Sequence, residues 1–364
     1  MGTKKKIALI IPGGLGTGKE NIGVPVLGQI VQLLSKQFDV TVFQLYKTNE
    51  NYHPKGFDLL DFKSGNRLIQ YFTLCISFYK VNRKKKFDAV HGFWVWPCGF
   101  LAVFLGKIFG IKSIVSVLGG DAASIPEIGY GHLRKIFSRT MILWSLRNAD
   151  EATALTNYLA KNLYQAGLKR KLNILPWGVD QNLFRFSAKP LQSPVQFLHI
   201  ANLHPVKDQE TMLRAFEIIC RTAPSHLTII GEGIEEAKVK GLISELRLTD
   251  EVTLQGQLPY EKLSDVYNRS DILLHTSLTE GQSEVVTEAM SCGVIVCGTN
   301  VGLLYDLPDC CVSVTVKNYQ ALAGHILLLI KDREKIKLIQ ERANHWATNH
   351  DLDWTVRELV RLYK

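Results

Sequence analysis

The sequence predicts an α/β protein of two doubly wound, Rossmann-like parallel sheets, and three observations carry that expectation. Short apolar runs alternate with segments of helical periodicity, and such alternation builds a parallel sheet covered by helices on both faces. The alternation occurs twice along 364 residues, a length that suits two domains rather than one. Between the two series lies "FRFSAKPLQSPV", residues 184–195, which has two prolines and no hydrophobic period and reads as a linker. The expected first domain covers 1–186 and the second 187–345. The last segment, 346–364, sets Leu352, Val356, Leu359, Val360 and Tyr363 at helical spacing and reads as a helix that crosses back to the first domain.

The expected strands of the first domain are 7–11, 40–43, 89–91, 114–117, 151–155 and 172–175. Those of the second are 195–201, 227–230, 252–254, 272–275, 295–297 and 312–314. Open parallel sheets bind ligands beyond the carboxyl ends of their strands, so two such sheets facing each other would form one cleft. The first strand opens into "PGGLGTGKE", residues 12–20, where Gly13 to Lys19 spell G-x-x-x-x-G-K. A phosphate-binding P-loop needs Ser or Thr after the Lys, to put a hydroxyl on Mg²⁺, and a helix that starts there. Glu20 holds that position, and helical periodicity begins only near Val26, with Pro25 suited to the first turn. The stretch therefore reads as a glycine-rich turn that lets backbone approach a substrate without side chains in the way.

Composition narrows the classes. The seven cysteines show no C-x-x-C, and Cys310 and Cys311 are adjacent, which argues against a disulfide framework or zinc site and fits a reducing cytosol. The apolar run after the basic N-terminus is too short for a signal peptide, the start lacks the myristoylation pattern, and no stretch of about 18 apolar residues exists to span a bilayer. Charge is uneven: residues 1–190 carry 26 Lys+Arg against 11 Asp+Glu (+15), and residues 191–364 carry 17 against 23 (−6), which together give the formal +9. The basic half is expected to meet something anionic. With no nucleic-acid motif present, an anionic membrane surface is the expected partner rather than nucleic acid.

Two stretches carry chemistry. In "HTSLTEGQSEVVTEAMSCGVIVCGTNVG", residues 275–302, Glu280 and Glu288 flank a small-residue turn, with a helix starting near Ser283. Carboxylates accept hydrogen bonds from sugar or ribose hydroxyls, and amides at the helix start suit a phosphate. Glu280 and Glu284 equally suit a plain role as complements to the helix dipole. In "LHIANLHPVKDQETMLRAF", residues 198–216, Lys207 lies in a loop between strand and helix, where it would neutralise a phosphate or simply be a solvated loop lysine. His91, in "AVHGFWVWPCGF", ends a strand and suits either an acceptor contact or a hydrogen-bonded structural role.

These stretches, in their order, resemble the retaining family 4 glycosyltransferases of the GT-B fold (glycosyl transferases group 1). The run Glu280-x7-Glu288 followed by "AMSCGVIVCGTNVG", the Gly13–Gly18 loop, "ILPWGVD" at 174–180 and the "KDQETMLRAF" helix match the family in order and spacing over nearly the whole chain. The resemblance implies that the second domain binds a nucleotide-diphospho-sugar and the first binds the acceptor. Glu288 would bind the ribose, Glu280 the donor sugar, Lys207 the leaving diphosphate, and the amides of Gly281, Gln282 and Ser283 would cradle the donor. Gly14 and Gly16 would approach the diphosphate, and Asp121 in "LGGD" would face sugar and acceptor. Three departures stand out. Asn202 replaces the family's diphosphate-pairing Arg among the donor contacts, Leu118 replaces a His, and Gly281-Gln282-Ser283 replaces Gly-Phe-Gly.

The expected function is retaining, metal-independent hexosyl transfer from a nucleotide-diphospho-sugar to a lipid-linked or polysaccharide precursor, with no cofactor, in the cytoplasm or peripherally on the cytosolic face of the membrane. The alternatives are a degenerate transferase acting as a non-catalytic partner subunit and a nucleotide-sugar epimerase of the same fold. Residues 67–87 and 132–147 mix large apolar residues with cations, among them Arg83, Lys84, Lys85 and Lys86. They suit either a membrane interface or helices packed on the sheet.

Overall fold

A computed structural model describes residues 4–17, 23–62, 64–187 and 190–364. The chain forms two compact units: residues 1–177 together with 352–364, and residues 178–351. The first unit gathers β1 (Lys6–Ile11), α1 (Pro25–Gln37), β2 (Asp39–Gln44), β3 (Asp58–Asp61), α2 (Arg67–Lys85) and β4 (Ala89–Phe93). It continues through α3 (Phe100–Phe109), β5 (Lys112–Val117), α4 (Ile136–Asn148), β6 (Glu151–Ala154), α5 (Asn157–Gln165) and β7 (Asn173–Ile174). The seven strands form one parallel sheet in the order β3-β2-β1-β4-β5-β6-β7. Within β1, Ile7, Leu9 and Ile11 enter one apolar cluster and Ala8 and Ile10 another, so both faces of the sheet are covered.

The second unit contains β8 (Val195–Ile200), α6 (Gln209–Cys220), β9 (Ser225–Ile230), α7 (Glu236–Glu245), β10 (Val252–Gly256), α8 (Leu263–Arg269) and β11 (Ile272–His275). It is completed by α9 (Glu284–Cys292), β12 (Ile295–Thr299), α10 (Leu303–Asp306), β13 (Val312–Val314), α11 (Tyr319–Leu329) and α12 (Arg333–Asn349). Its six strands are parallel in the order β10-β9-β8-β11-β12-β13. The same alternation holds: Phe197, Ile272 and Ile295 pack toward α6 and α11, while Leu198, Leu273 and Val296 pack toward α8 and α9.

A final helix, α13 (Leu352–Tyr363), belongs to the first unit and buries Leu352, Val356, Leu359, Val360 and Tyr363 in that unit's larger cluster. Strands occupy every place the sequence expects, and one more appears. β3, "DLLD", is four residues long at a sheet edge, with Asp58 and Asp61 exposed and both leucines half-buried, so it lacks an apolar run. The segment read as a linker is held to the second unit at its start. Phe184 is fully buried, and the Ser187 amide donates to the Cys292 carbonyl. α1 starts at Pro25, well after the glycine turn, while Lys19 and Glu20 lie outside the described residues.

Both apolar-basic segments contain helices, α2 and α4, whose inner sides pack on the unit. One correction follows for the cation cluster of α2. The Lys85 ammonium bonds Asp39 and Asp58, each at 2.8 Å, so it ties α2 to β2 and β3 rather than standing free with Arg83 and Lys84. Among the described residues no helix is long and apolar enough to cross a membrane.

Leu359 is fully buried in the first unit's cluster. Leu359→Ala is expected to lower stability by about 2–5 kcal/mol, the cost of a buried leucine cavity. Denaturant unfolding of the full chain checks this, and a change within about 0.5 kcal/mol would contradict the packing of α13.

Candidate functional site

The carboxyl ends of β8 and β11 place Lys207 and Glu280 in neighbouring loops. After β8 the chain makes a single short turn, Pro205–Lys207, before Asp208 caps α6 by accepting from the Thr211 amide. The loop after β11 locks onto it: Thr276 Oγ1 donates to the carbonyls of Lys207 and Asp208, at 3.1 and 3.0 Å, and the Leu278 amide donates to the Val206 carbonyl at 2.8 Å. Lys207 Nζ then meets Glu280 Oε1 at 2.5 Å, and Ser277 Oγ donates to the same oxygen at 2.6 Å. Burial alone would raise the Glu280 pKa, but the ammonium beside it outweighs that and holds the carboxyl below its ordinary value.

Beneath this pair lies a buried histidine. His275 Nε2 is 3.7 Å from Glu280 Oε1 and has no hydrogen-bond partner. Burial lowers its pKa to about 4, so the ring is neutral and adds no ion pair. Next to it His199 donates through Nδ1–H to the Leu274 carbonyl, 2.9 Å away, and burial lowers its pKa to about 4. Gly302, at φ +56°, packs against the same loop: a Cβ there would come within 2.9 Å of the Glu280 Cβ and 3.1 Å of the Gln282 carbonyl.

The turn Gly281, Gln282, Ser283 leads into α9, with Gly281 and Gln282 buried and Ser283 at φ +76°. Ser283 provides no side-chain cap, which leaves the first-turn amides of α9 without that partner. One turn further in, Glu288 is buried and its Oε2 accepts from the Tyr267 hydroxyl at 2.7 Å. Burial raises its pKa to about 7, against the opposing hydrogen bonds of Tyr267 and Tyr260. Glu284 is raised further, to about 8, by burial and then by the nearby Glu288 charge. Asn202 is exposed at the end of β8, and its carbonyl accepts from Gln209 Nε2.

Sequence reading did not find Tyr267, Tyr260, Ser277 or His275. The last two lay inside the quoted run, five or fewer positions from Glu280. The tyrosines reach Glu288 from α8 and the turn before it, a pairing that no spacing along the chain records.

The remaining expected residues belong to the first unit. Gly14 and Gly16 have φ +110° and +58°, and a Cβ on Gly16 would lie 2.2 Å from the Tyr52 ring. The need for glycine at 16 is thus set by packing within the unit itself. Gln44 holds the turn by accepting from the Leu15 amide and donating to the Leu15 and Tyr46 carbonyls. Asp121 is buried in the turn after β5, where Oδ1 accepts from the Trp96 amide at 3.3 Å and Oδ2 has no partner. Burial raises it to about 6, opposed by the amides of Val95, Trp96 and Leu118.

His91 requires a correction as an acceptor contact. It is fully buried, with Nδ1 2.7 Å from the Tyr363 hydroxyl and Nε2 2.8 Å from Ser116 Oγ, and Ser116 in turn bonds Thr153. Both nitrogens are occupied, and burial lowers its pKa to about 3. The ring is a structural member of a polar line across β4, β5 and β6. Among the described residues no group of three or more His, Cys, Asp or Glu is placed to hold a metal ion.

Two family models match the chain in succession: Glycosyltransferase Family 4 over residues 26–183 and Glycosyl transferases group 1 over residues 180–346. The phosphatidylinositol N-acetylglucosaminyltransferase GPI3 subunit of Saccharomyces cerevisiae is 26% identical over 253 residues, covering 65% of this chain and 55% of the relative. The chain thus spans about half the length of that relative. The N-acetyl-alpha-D-glucosaminyl L-malate synthase of Bacillus anthracis is 23% identical over 282 residues, covering 72% of this chain and 71% of the relative. Among solved structures, sucrose-phosphate synthase from Thermosynechococcus elongatus superposes with a TM-score of 0.81 at 18% identity, covering 99% of this chain and 98% of that one. HepE from Anabaena, solved with UDP and glucose, gives 0.77 at 19% identity, covering 98% of each chain. At these identities the likeness to solved structures is one of fold, and the fold shared is GT-B.

The raised carboxyls make stability depend on pH. A group with a raised folded pKa contributes stability that is present below its unfolded pKa and is lost as pH rises through the folded one. Stability is therefore expected to fall between the ordinary value of 4.5 and the folded values of about 7 for Glu288 and about 8 for Glu284. Glu288→Gln should flatten that fall. Denaturant unfolding across the range checks this, and an unchanged profile in the variant would contradict the burial argument.

Proposed function

Because the chain belongs to the family 4, group 1 glycosyltransferases, we propose that it transfers a hexosyl group from a nucleotide-diphospho-sugar to a hydroxyl of a lipid-linked or polysaccharide precursor, with retention at the anomeric carbon and without a metal ion. The observation that supports this reading best is the Lys207–Glu280 pair beside the uncapped start of α9, with Glu288 one turn inside the helix. A cation beside the backbone amides of a helix start suits a diphosphate; two carboxylates, differently tuned, suit two sets of hydroxyls.

In this reading the second unit holds the donor. Glu288 accepts from the ribose, positioned by Tyr267, and the amides of Gly281 to Ser283 with Lys207 hold the diphosphate. Glu280, kept ionised, accepts from a hydroxyl of the donor sugar. The bond between the anomeric carbon and the phosphate oxygen breaks, and its electron pair stays with the diphosphate. The acceptor oxygen bonds the same face of the carbon, and its proton passes to the departing phosphate oxygen. Lys207 stabilises the charge that develops there. Asp121 in the first unit serves the acceptor side.

Two relatives' names describe transfer or condensation of N-acetylglucosamine, which makes UDP-linked amino sugars the first donors to test. A thermal-shift screen of nucleotide sugars, followed by release of nucleoside diphosphate in chelator-treated buffer and NMR of the product anomer, tests the reading. A donor that stabilises the chain but is never cleaved or transferred would favour a non-catalytic partner subunit, the reading for which the uncharged Asn202 speaks.

Lys207→Ala is expected to lower turnover by about 10²–10³, the scale of losing one preorganised electrostatic stabiliser. Its loss also leaves Glu280 uncompensated, so the unfolding transition of the same preparation is measured alongside. Glu288→Gln should chiefly raise the donor KM, and Glu280→Gln should chiefly lower kcat. A folded Lys207→Ala protein with most of the wild-type turnover would overturn the assignment.

A further inference from the structure

The carboxyl ends of β1, β2 and β4 in the first unit surround a pocket of about 650 Å³ whose lining includes none of the site residues expected from the sequence. Its lining joins the cations Lys47 and Arg67 with His132 and the rings of Tyr71, Trp94 and Trp96; among the described residues no carboxylate lines it, and the nearest to Lys47 is Glu50, 3.9 Å from the ammonium in an exposed pair. Beyond the effect of desolvation, Lys135, Arg134 and Arg67 also lower the His132 pKa, so cations from two sides stand near the ring. An anion is the ligand that relieves such a cluster, and flat rings suit a sugar or an apolar chain beside it.

The pocket adjoins an unusual surface. Arg67, in the lining, begins α2, and the next residues, Leu68 and Ile69, are 76% and 57% exposed. Phe72, Ile76 and Tyr79 continue the exposed stripe at helical spacing, opposite the buried Leu74 and Phe78. On the other side Trp96, also in the lining, contacts the rings of Phe137 and Phe100 at 5.4 and 5.6 Å. Phe137 and Ile136 on α4 are 66% and 85% exposed, as are Phe104 and Ile108 on α3 in lesser degree. No Asp or Glu occurs anywhere in α2, α3 or α4, whereas Lys80, Arg83, Lys84, Lys107, Arg134 and Lys135 are all exposed there or immediately before α4. Large apolar side chains on helices that carry cations and no acidic residue are complementary to one partner above others, an anionic bilayer interface.

We infer that this pocket receives the anionic head of a membrane-borne acceptor, presented by an anionic bilayer on which the α2–α3–α4 face rests. The inference builds on the transferase reading and narrows its acceptor to a phosphorylated amphiphile. Apolar side chains enter the interface, the cations meet lipid phosphates, and Arg67 and Lys47 engage the acceptor's own phosphate at the pocket mouth.

The test uses the full chain at low salt. It should sediment with mixed phosphatidylcholine–phosphatidylglycerol vesicles, not with phosphatidylcholine alone, and be released by salt, each lost cation weakening binding roughly fivefold. Phe72→Ser with Phe137→Ser should weaken vesicle binding by about tenfold or more. Farnesyl diphosphate, a soluble stand-in for the head and first units of chain, should bind more tightly than inorganic pyrophosphate, and Arg67→Gln should weaken it roughly tenfold. Equal sedimentation with both vesicle types, none with either, or pyrophosphate binding as tightly as farnesyl diphosphate would overturn the inference. Donor binding is measured on the same proteins. Failed donor binding with intact vesicle binding strikes the transferase reading alone; the reverse strikes this inference alone.

Discussion

The second unit's candidate site is organised around the short ion pair between Lys207 and Glu280. Parallel strands deliver their following loops to one edge of a sheet, but delivery alone leaves loops free to differ. Here β8 and β11 are neighbours, and their loops are tied by one backbone bond and by the Thr276 hydroxyl before Lys207 and Glu280 meet. The pair is mostly shielded from water, so neither charge is at home without the other. An anion arriving at Lys207 and a hydroxyl arriving at Glu280 would each replace part of that mutual compensation. The site is thus held in a charged, ready state by its own two members.

Glu288 illustrates the opposite use of burial. Desolvation dominates there, and what opposes it is the pair of hydroxyls of Tyr267 and Tyr260. Its proton affinity is therefore poised near neutrality while Glu280, eight positions earlier, stays ionised. Two glutamates on one motif acquire different chemistry because one faces an ammonium and the other faces phenols.

Much of this was legible in the sequence, for identifiable reasons. Strands buried on both faces are continuous apolar runs, so β1 and β11 announce themselves, while the edge strand β3, with exposed aspartates at both ends, does not. Lys207 and Glu280 were visible because residues just after strands of a parallel sheet fall at its ligand-binding edge. Tyr267 was not, because its bond to Glu288 joins two helices whose packing no local pattern encodes. His91 read equally well as a surface contact or a core member. What decides it is Tyr363, at the far end of the chain, which only the folded first unit brings to its side.

That last bond bears on biosynthesis. Domains of a growing chain generally fold as they emerge, the earliest first. Here the first unit's strands leave the ribosome long before α13, and the whole of the second unit is translated in between. Until then the cluster that α13 seals stays open and His91 lacks its phenol partner. Of the two units, the one begun earlier is finished later, so the nascent chain carries an incomplete apolar core while residues 178–351 are made. Chaperone demand and losses to aggregation should therefore concentrate in that interval.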